Sequence, residues 1–268
     1  MSEILILGAG YTGWRVARLL AAAGHAVTAT VRDPARVRPV PGVRLRALNL
    51  PGSAQLAAAP GCRVLHSIPV SEDLYDPTPA LCESLRGAAA RVVYLSTTGV
   101  YGRCRQVDER TPPAPGSASN RLRVEAEQLV LNGPWLGMVL RPAAIYGPGR
   151  GAQVSIPAGR FRLRGDGSNF VSRIHVDDLA ALAAAALLSD AGGAWPVADQ
   201  EPARSREVAA YVCGLLGCPM PESAADEELH ETRRADRQVD GSAVFRLLGV
   251  ELRYRSFRQG IPASLGSA

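Results

Sequence analysis

The stretch Ile4-Leu5-Ile6-Leu7-Gly8-Ala9-Gly10-Tyr11-Thr12-Gly13-Trp14-Arg15-Val16-Ala17 decides the fold. Its apolar start reads as a buried strand, its glycines as a turn, and the residues from Thr12 onward as the start of a helix. Gly8 permits a tight turn out of the strand, Gly10 lets the backbone approach a diphosphate, and Gly13 lets the helix pack closely on a sheet. The free N–H groups and positive dipole end of the helix, near Tyr11 and Thr12, would face the phosphates. A lone G-x-G-x-x-G has little specificity. Here it joins an apolar strand to a helical run ending at Gly24, and a second strand, Ala26 to Val31, follows, which is the context dinucleotide binding requires. The alternative is a glycine turn that merely connects strand to helix.

Outward from this opening, strands and helices alternate, which argues for a doubly wound parallel sheet covered on both faces. Arg32-Asp33-Pro34 ends the second strand. An NAD site places an acid there for the ribose hydroxyls, whereas NADP needs a cation for its extra phosphate. The acid's place falls on Val31 and Arg32 follows, so the expected cofactor is NADP; in the alternative, Asp33 reaches the ribose and the cofactor is NAD. Val43 to Leu48 and Arg63 to Ile68 read as the third and fourth strands, and Ser67-Ile68-Pro69 lies on the carboxyl edge where ligands bind. His66, inside an apolar strand, reads as a core histidine. Arg91 to Ser96 is the fifth strand and delivers Thr97-Thr98-Gly99-Val100-Tyr101-Gly102.

Composition narrows the function classes. With 268 residues the chain can bury a full core. No run reaches the roughly 18 apolar residues of a membrane span, and no basic leader opens the chain, so a cytoplasmic protein without a membrane partner is expected. The five cysteines lack C-x-x-C spacing and read as mostly buried thiols, with no metal framework. The net charge is +5, and every one of the thirty basic residues is arginine. Chemistry needing a lysine amine is therefore excluded. The arginines are scattered without interleaved aromatics, which speaks against nucleic acid and for a solvated surface.

Further motifs carry a resemblance. The glycine loop, Leu95 to Gly102, Val139-Leu140-Arg141-Pro142-Ala143-Ala144-Ile145-Tyr146-Gly147-Pro148-Gly149 and Arg173-Ile174-His175-Val176-Asp177-Asp178 resemble the NAD-dependent epimerase/dehydratase branch of the short-chain dehydrogenase/reductase superfamily. The similarity runs over nearly the whole chain. It implies a Rossmann-type domain over residues 1–148, with 174–190 returning to it. A small substrate-binding lobe would come from 149–173 and 191–268. It further implies a dimer through the helices after the fourth and fifth strands, and cofactor contacts from Arg123 and Pro142.

In that family a Ser or Thr, a Tyr and a Lys four residues after the Tyr form the catalytic group. Thr97 matches the first; Ser119 stands where Tyr belongs and Arg123 where Lys belongs. A serine hydroxyl is too weak an acid to replace a tuned phenol, and arginine holds a ribose but does not shuttle protons. Three substitutes as donor are open: Tyr101, which otherwise packs against substrate or in the core; Tyr146, whose family counterpart supports the cleft; and His175, which otherwise caps the helix it opens. Tyr101, Tyr146, Arg160 and Arg173 are the substrate-binding candidates. Arg160-Phe161-Arg162-Leu163-Arg164 alternates like a strand, giving either an anion clamp or a solvated charged face. Glu222 to Arg237 reads as a charged helix or flap. Two classes follow: an NADP(H)-dependent reductase, epimerase or dehydratase acting on a small, anionic substrate, with a non-redox variant in which the dinucleotide is structural, or a redox-inert protein that binds NADP(H).

Overall fold

The computed structural model describes residues 2–50, 56, 58–229 and 234–266. Seven strands form the central sheet: β1 (Glu3–Leu7), β2 (Ala26–Val31), β3 (Val43–Ala47), β4 (Cys62–His66), β5 (Ala89–Leu95), β6 (Leu136–Pro142) and β7 (Gly193–Val197). All pair in parallel, in the order β7-β6-β5-β4-β1-β2-β3. This is a Rossmann-like α/β fold. The order reverses between β1 and β4, so the crevice for a ligand opens beyond their carboxyl ends.

Residue alternation explains why both faces are covered. Ile4 and Ile6 point to one side, where they pack with α1 (Gly13–Ala22), α5 (Val176–Leu188) and α7 (Ser242–Leu248). Leu5 and Leu7 point to the other, against α2 (Thr78–Leu85) and α3 (Ala118–Leu131). Helix α5 is apolar nearly all round because it lies sandwiched between the sheet, α1 and α7. Its last carbonyls are met by two sheet arginines: Arg63 donates to Leu187 O at 2.8 Å, and the fully buried Arg91 donates to Ala191 O at 2.7 Å just beyond the helix. Among the described residues, no helix is long and apolar enough to cross a membrane.

The smaller lobe is built from α6 (Ser205–Leu216), α8 (Phe257–Leu265), the single turn α4 (Ala152–Ser155) and two-residue strands. Phe170–Val171 pairs antiparallel with Ala203–Arg204, and Leu163–Arg164 pairs parallel with Ser223–Ala224. Tyr146, Leu163, Val208, Val212, Phe257 and Ile261 make its core.

Three expectations are corrected here. Gly193–Val197, assigned to the lobe by sequence, pairs with β6 and closes the central sheet as its edge, the position that tolerates Pro196. Within 191–268, α7 also packs on this sheet, through Val244 and Phe245. The Arg160–Arg164 alternation produces strand only at Leu163–Arg164, and of the two alternatives for 222–237, charged helix or flap, the helix does not form in the described part, where Ser223–Ala224 is a short strand and Asp226–Glu228 a single turn. Residues 230–233 lie outside the described set.

Candidate dinucleotide and active site

The glycine turn is shaped by two close approaches. Gly8 has φ +86°, and a Cβ there would lie 2.7 Å from Ile68 Cγ1; a Cβ on Gly13 would lie 2.5 Å from Gly8 O. Only glycine fits. Gly8 N donates to Thr30 Oγ1 at 3.0 Å, and Ser67 Oγ donates to Gly8 O at 2.6 Å, so the ends of β2 and β4 clamp the turn. Ile68 covers Gly8, and Pro69 continues the same edge segment. Nothing lies within 4 Å of the position a Gly10 Cβ would take. Beside that space, the N–H groups of Tyr11 and Thr12 have no hydrogen-bond partner among the described residues. Open room, orphaned donors and a helix N-terminus fit a diphosphate. A cavity of about 520 Å³ adjoins it, lined in part by Gly10, Tyr11, Arg15 and Pro148. Tyr11 is tied across it, its hydroxyl donating to Pro148 O at 3.0 Å.

At the adenosine end, Arg32 is exposed just past β2. Asp33 is already engaged: its carboxylate accepts from Ala35 N at 3.0 Å and pairs with Arg36 at 3.2 Å. Asp33, the acid that sequence left open for the ribose, is half exposed and makes these two contacts within its own turn.

At the other end, Thr97 is half-buried on the carboxyl end of β5, and its Oγ1 accepts from Gly99 N at 3.1 Å. Its own proton stays available for a bound oxygen or nitrogen. Ser119 and Arg123 lie one turn apart on α3, both half-buried. Arg123 lies close to the Tyr94 hydroxyl without full hydrogen-bond geometry, and that hydroxyl is otherwise orphaned. Tyr101 is sealed, and its hydroxyl accepts from Arg141 Nη1 at 3.1 Å. Arg141 in turn meets buried Glu127 at 2.6 Å, and Glu127 accepts from Ser96 Oγ at 2.5 Å. This chain of four locks α3 and β6 to the loop that carries Thr97. Sequence reasoning passed over Glu127 and Ser96. The available signal was Arg141 itself, a charge inside an apolar strand that needs a buried partner. Pro142 ends β6 opposite Val197.

The remaining candidates face inward. His175 is buried, with Nδ1 accepting from Asp177 N at 3.2 Å and Nε2 donating to Ser264 Oγ at 3.1 Å. Ser264 donates onward to Gly260 O, which fixes that tautomer. Burial pushes the imidazole down to about 4, so it is neutral near pH 7. Tyr146 is buried in the lobe core with its hydroxyl donating to Ser256 O at 3.3 Å. Arg173 is buried and donates to Val171 O at 2.6 Å. Arg160 is exposed, while its neighbours Arg162 and Arg164 pair with Glu222 and Asp226 of the lobe itself. The structure therefore brings the glycine loop, Ser67, Ile68 and Pro69 together; Tyr146 pairs in register with His175, their rings 5.2 Å apart and edge to face, with the Arg173 charge acting on Tyr146, while the Tyr101 hydroxyl is held on Arg141.

Comparison with known proteins follows from this geometry. Residues 75–198 match the model of the NAD dependent epimerase/dehydratase family. Over 255 residues, 82% of this chain and 84% of the other, the sequence is 31% identical to a 3-diazoavenalumate denitrifying reductase from Streptomyces sp. The chain belongs to the NAD-dependent epimerase/dehydratase family. Among solved structures, a conserved protein of unknown function from Silicibacter pomeroyi superposes with a TM-score of 0.85 at 31% identity, covering 100% of this chain and 99% of the other. The UDP-glucuronic acid 4-epimerase from Bacillus cereus, solved with UDP-glucuronic acid and NAD, shares the fold at a TM-score of 0.78, over 98% of each chain and at 19% identity.

Proposed function

We propose that the protein is an NADPH-dependent reductase whose acceptor takes hydride without needing a proton from the enzyme, with small aryl diazo compounds as the substrate class. One observation carries this reading: Ser119 stands at the acid's place, and each substitute donor is buried against a bonded partner of its own. Carbonyl reduction develops an oxyanion that needs a positioned acid. An electron-poor diazo group has no such need, and the Streptomyces relative is named for one. A bound nicotinamide would supply the hydride, with the diazo nitrogens leaving as dinitrogen and hydrogen taking their place on the ring.

The chain's residues then have positioning work. Tyr11 and Thr12 N–H groups hold the diphosphate, Arg32 meets the adenosine phosphate, Arg123 offers a fixed cation to the nicotinamide ribose, and the Thr97 hydroxyl orients the substrate. Exposed Arg160 can meet an anionic group on it. The test mixes purified protein with NADPH and a panel of hydroxyaryl diazonium carboxylates, ketones and nucleotide sugars. The expected result is cofactor oxidation matched by dinitrogen release with the diazo compounds alone. Turnover of ketones or nucleotide sugars, or tight cofactor binding with no turnover of any diazo compound, would overturn it.

A further inference from the structure

Helix α6 ends in a turn that brings two thiols together. Gly217, with φ +65° in the left-handed region, caps the helix, and the N–H of Cys218 reaches back to Cys213 O at 3.2 Å. That backbone pattern, closed by a left-handed glycine, sets the side chain after the glycine against the one four residues before it. In most helices this contact is hydrophobic; here both partners are cysteine. Cys218 packs on the same lobe core that holds Cys213. Cys213 is buried, its thiol donating to Pro219 O at 3.2 Å, and Cys218 is partly exposed. One sulfur is open to a small oxidant and the other lies behind it as a resolving group.

We propose that Cys213 and Cys218 are a modification site that closes to an intramolecular disulfide on exposure to a peroxide-class oxidant. The Cys218 sulfur attacks a peroxide oxygen; the O–O bond breaks, the leaving hydroxide takes the thiol proton as water, and Cys218 becomes a sulfenic acid. The Cys213 sulfur then gives up its bond to Pro219 O and attacks the Cys218 sulfur. The S–O bond breaks, and the departing hydroxide leaves as water with the Cys213 proton. Two thiols are oxidised by two electrons, and one peroxide is reduced to two waters. The product ties the last turn of α6, whose inner face holds Val208 and Val212 in the lobe core.

The experiment treats the full chain with a small molar excess of hydrogen peroxide, quenches, denatures, alkylates and weighs it. The expected result is the loss of two hydrogens and protection of two of the five thiols, mapped by peptide analysis to Cys213 and Cys218 and reversed by dithiothreitol. Cys218→Ser, a change at the partly exposed position, should abolish the crosslink. Retention of all five alkylatable thiols, pairing mapped to other cysteines, or addition of oxygens at Cys218 without a crosslink would each overturn the proposal.

Discussion

Arg32 is the residue on which the proposed preference for NADPH rests: it is exposed just past β2, beside an Asp33 that accepts from Ala35 and pairs with Arg36. A guanidinium meeting a phosphate through charge-assisted bonds contributes about 1.5–3 kcal/mol. Arg32→Ala should therefore weaken NADPH binding roughly tenfold or more while leaving NADH nearly unchanged; equal losses by calorimetry would remove the assignment. Tyr101 argues the opposite way. Its hydroxyl is sealed on Arg141, so Tyr101→Phe leaves a buried N–H unpaired, at a cost of about 1–3 kcal/mol. Turnover should survive, with the loss seen in the denaturation midpoint, and an inactive but equally stable variant would return Tyr101 to the chemistry. The position of Arg32 is legible from sequence because it is local to the strand end. The role of Tyr101 is not, because the residues that enclose it arrive from 40 positions further along the chain.

Elements were legible in proportion to their length. Helix α5, Val176–Leu188, lies within the 174–190 segment expected to return to the Rossmann domain, and an apolar run behind two acidic residues marks its own start. β1 to β5 came from runs of four to six residues between turn signals, mostly apolar, with arginine alternating in β3. The lobe's two-residue strands are too short to show any period, and β7 was hidden by Pro196, which an edge strand accepts. What joins the elements was the least legible part. Glu127 on α3 meets Arg141 on β6 across 14 residues, with Ser96 at the end of β5 bound to the same carboxylate. Removing one partner of a buried pair leaves the other charge unpaired, which costs about 3–5 kcal/mol. Glu127→Ala should lower stability by that amount in denaturant titration, and Arg141→Met added to it should recover part of the loss. A double variant no better than the single one would show that packing, and not the orphaned charge, sets the cost.

Over the whole molecule, the buried titratable groups pull stability in opposite directions with pH. Burial holds His66 down at about 3 and His175 at about 4, against about 6.5 in an unfolded chain. Between those values the unfolded chain binds protons that the folded one refuses, so both contributions are complete above about pH 6.5 and are lost as the medium turns acidic. Asp199 has the reverse sense. Burial raises its carboxyl to about 8, so the folded chain keeps a proton that the unfolded one releases above about pH 4, and stability falls as pH climbs toward 8. Burial also raises Asp178, in the same direction as Asp199. Two histidines outweigh one aspartate on the acid side, and once the pH is well past about 6.5 only the aspartate still acts. Stability should therefore peak between about pH 6 and 7 and lose about 1 kcal/mol by pH 8, since the unfolded histidines still titrate near pH 7 and folded Asp199 begins to ionise toward pH 8. Thermal denaturation across this range checks the shape, and Asp199→Asn, which keeps an acceptor for Glu201 N, should flatten the alkaline side alone. If the variant keeps the same alkaline decline, Asp199 is ionised in the folded protein and its charge is met by Arg173, which faces it within the lobe.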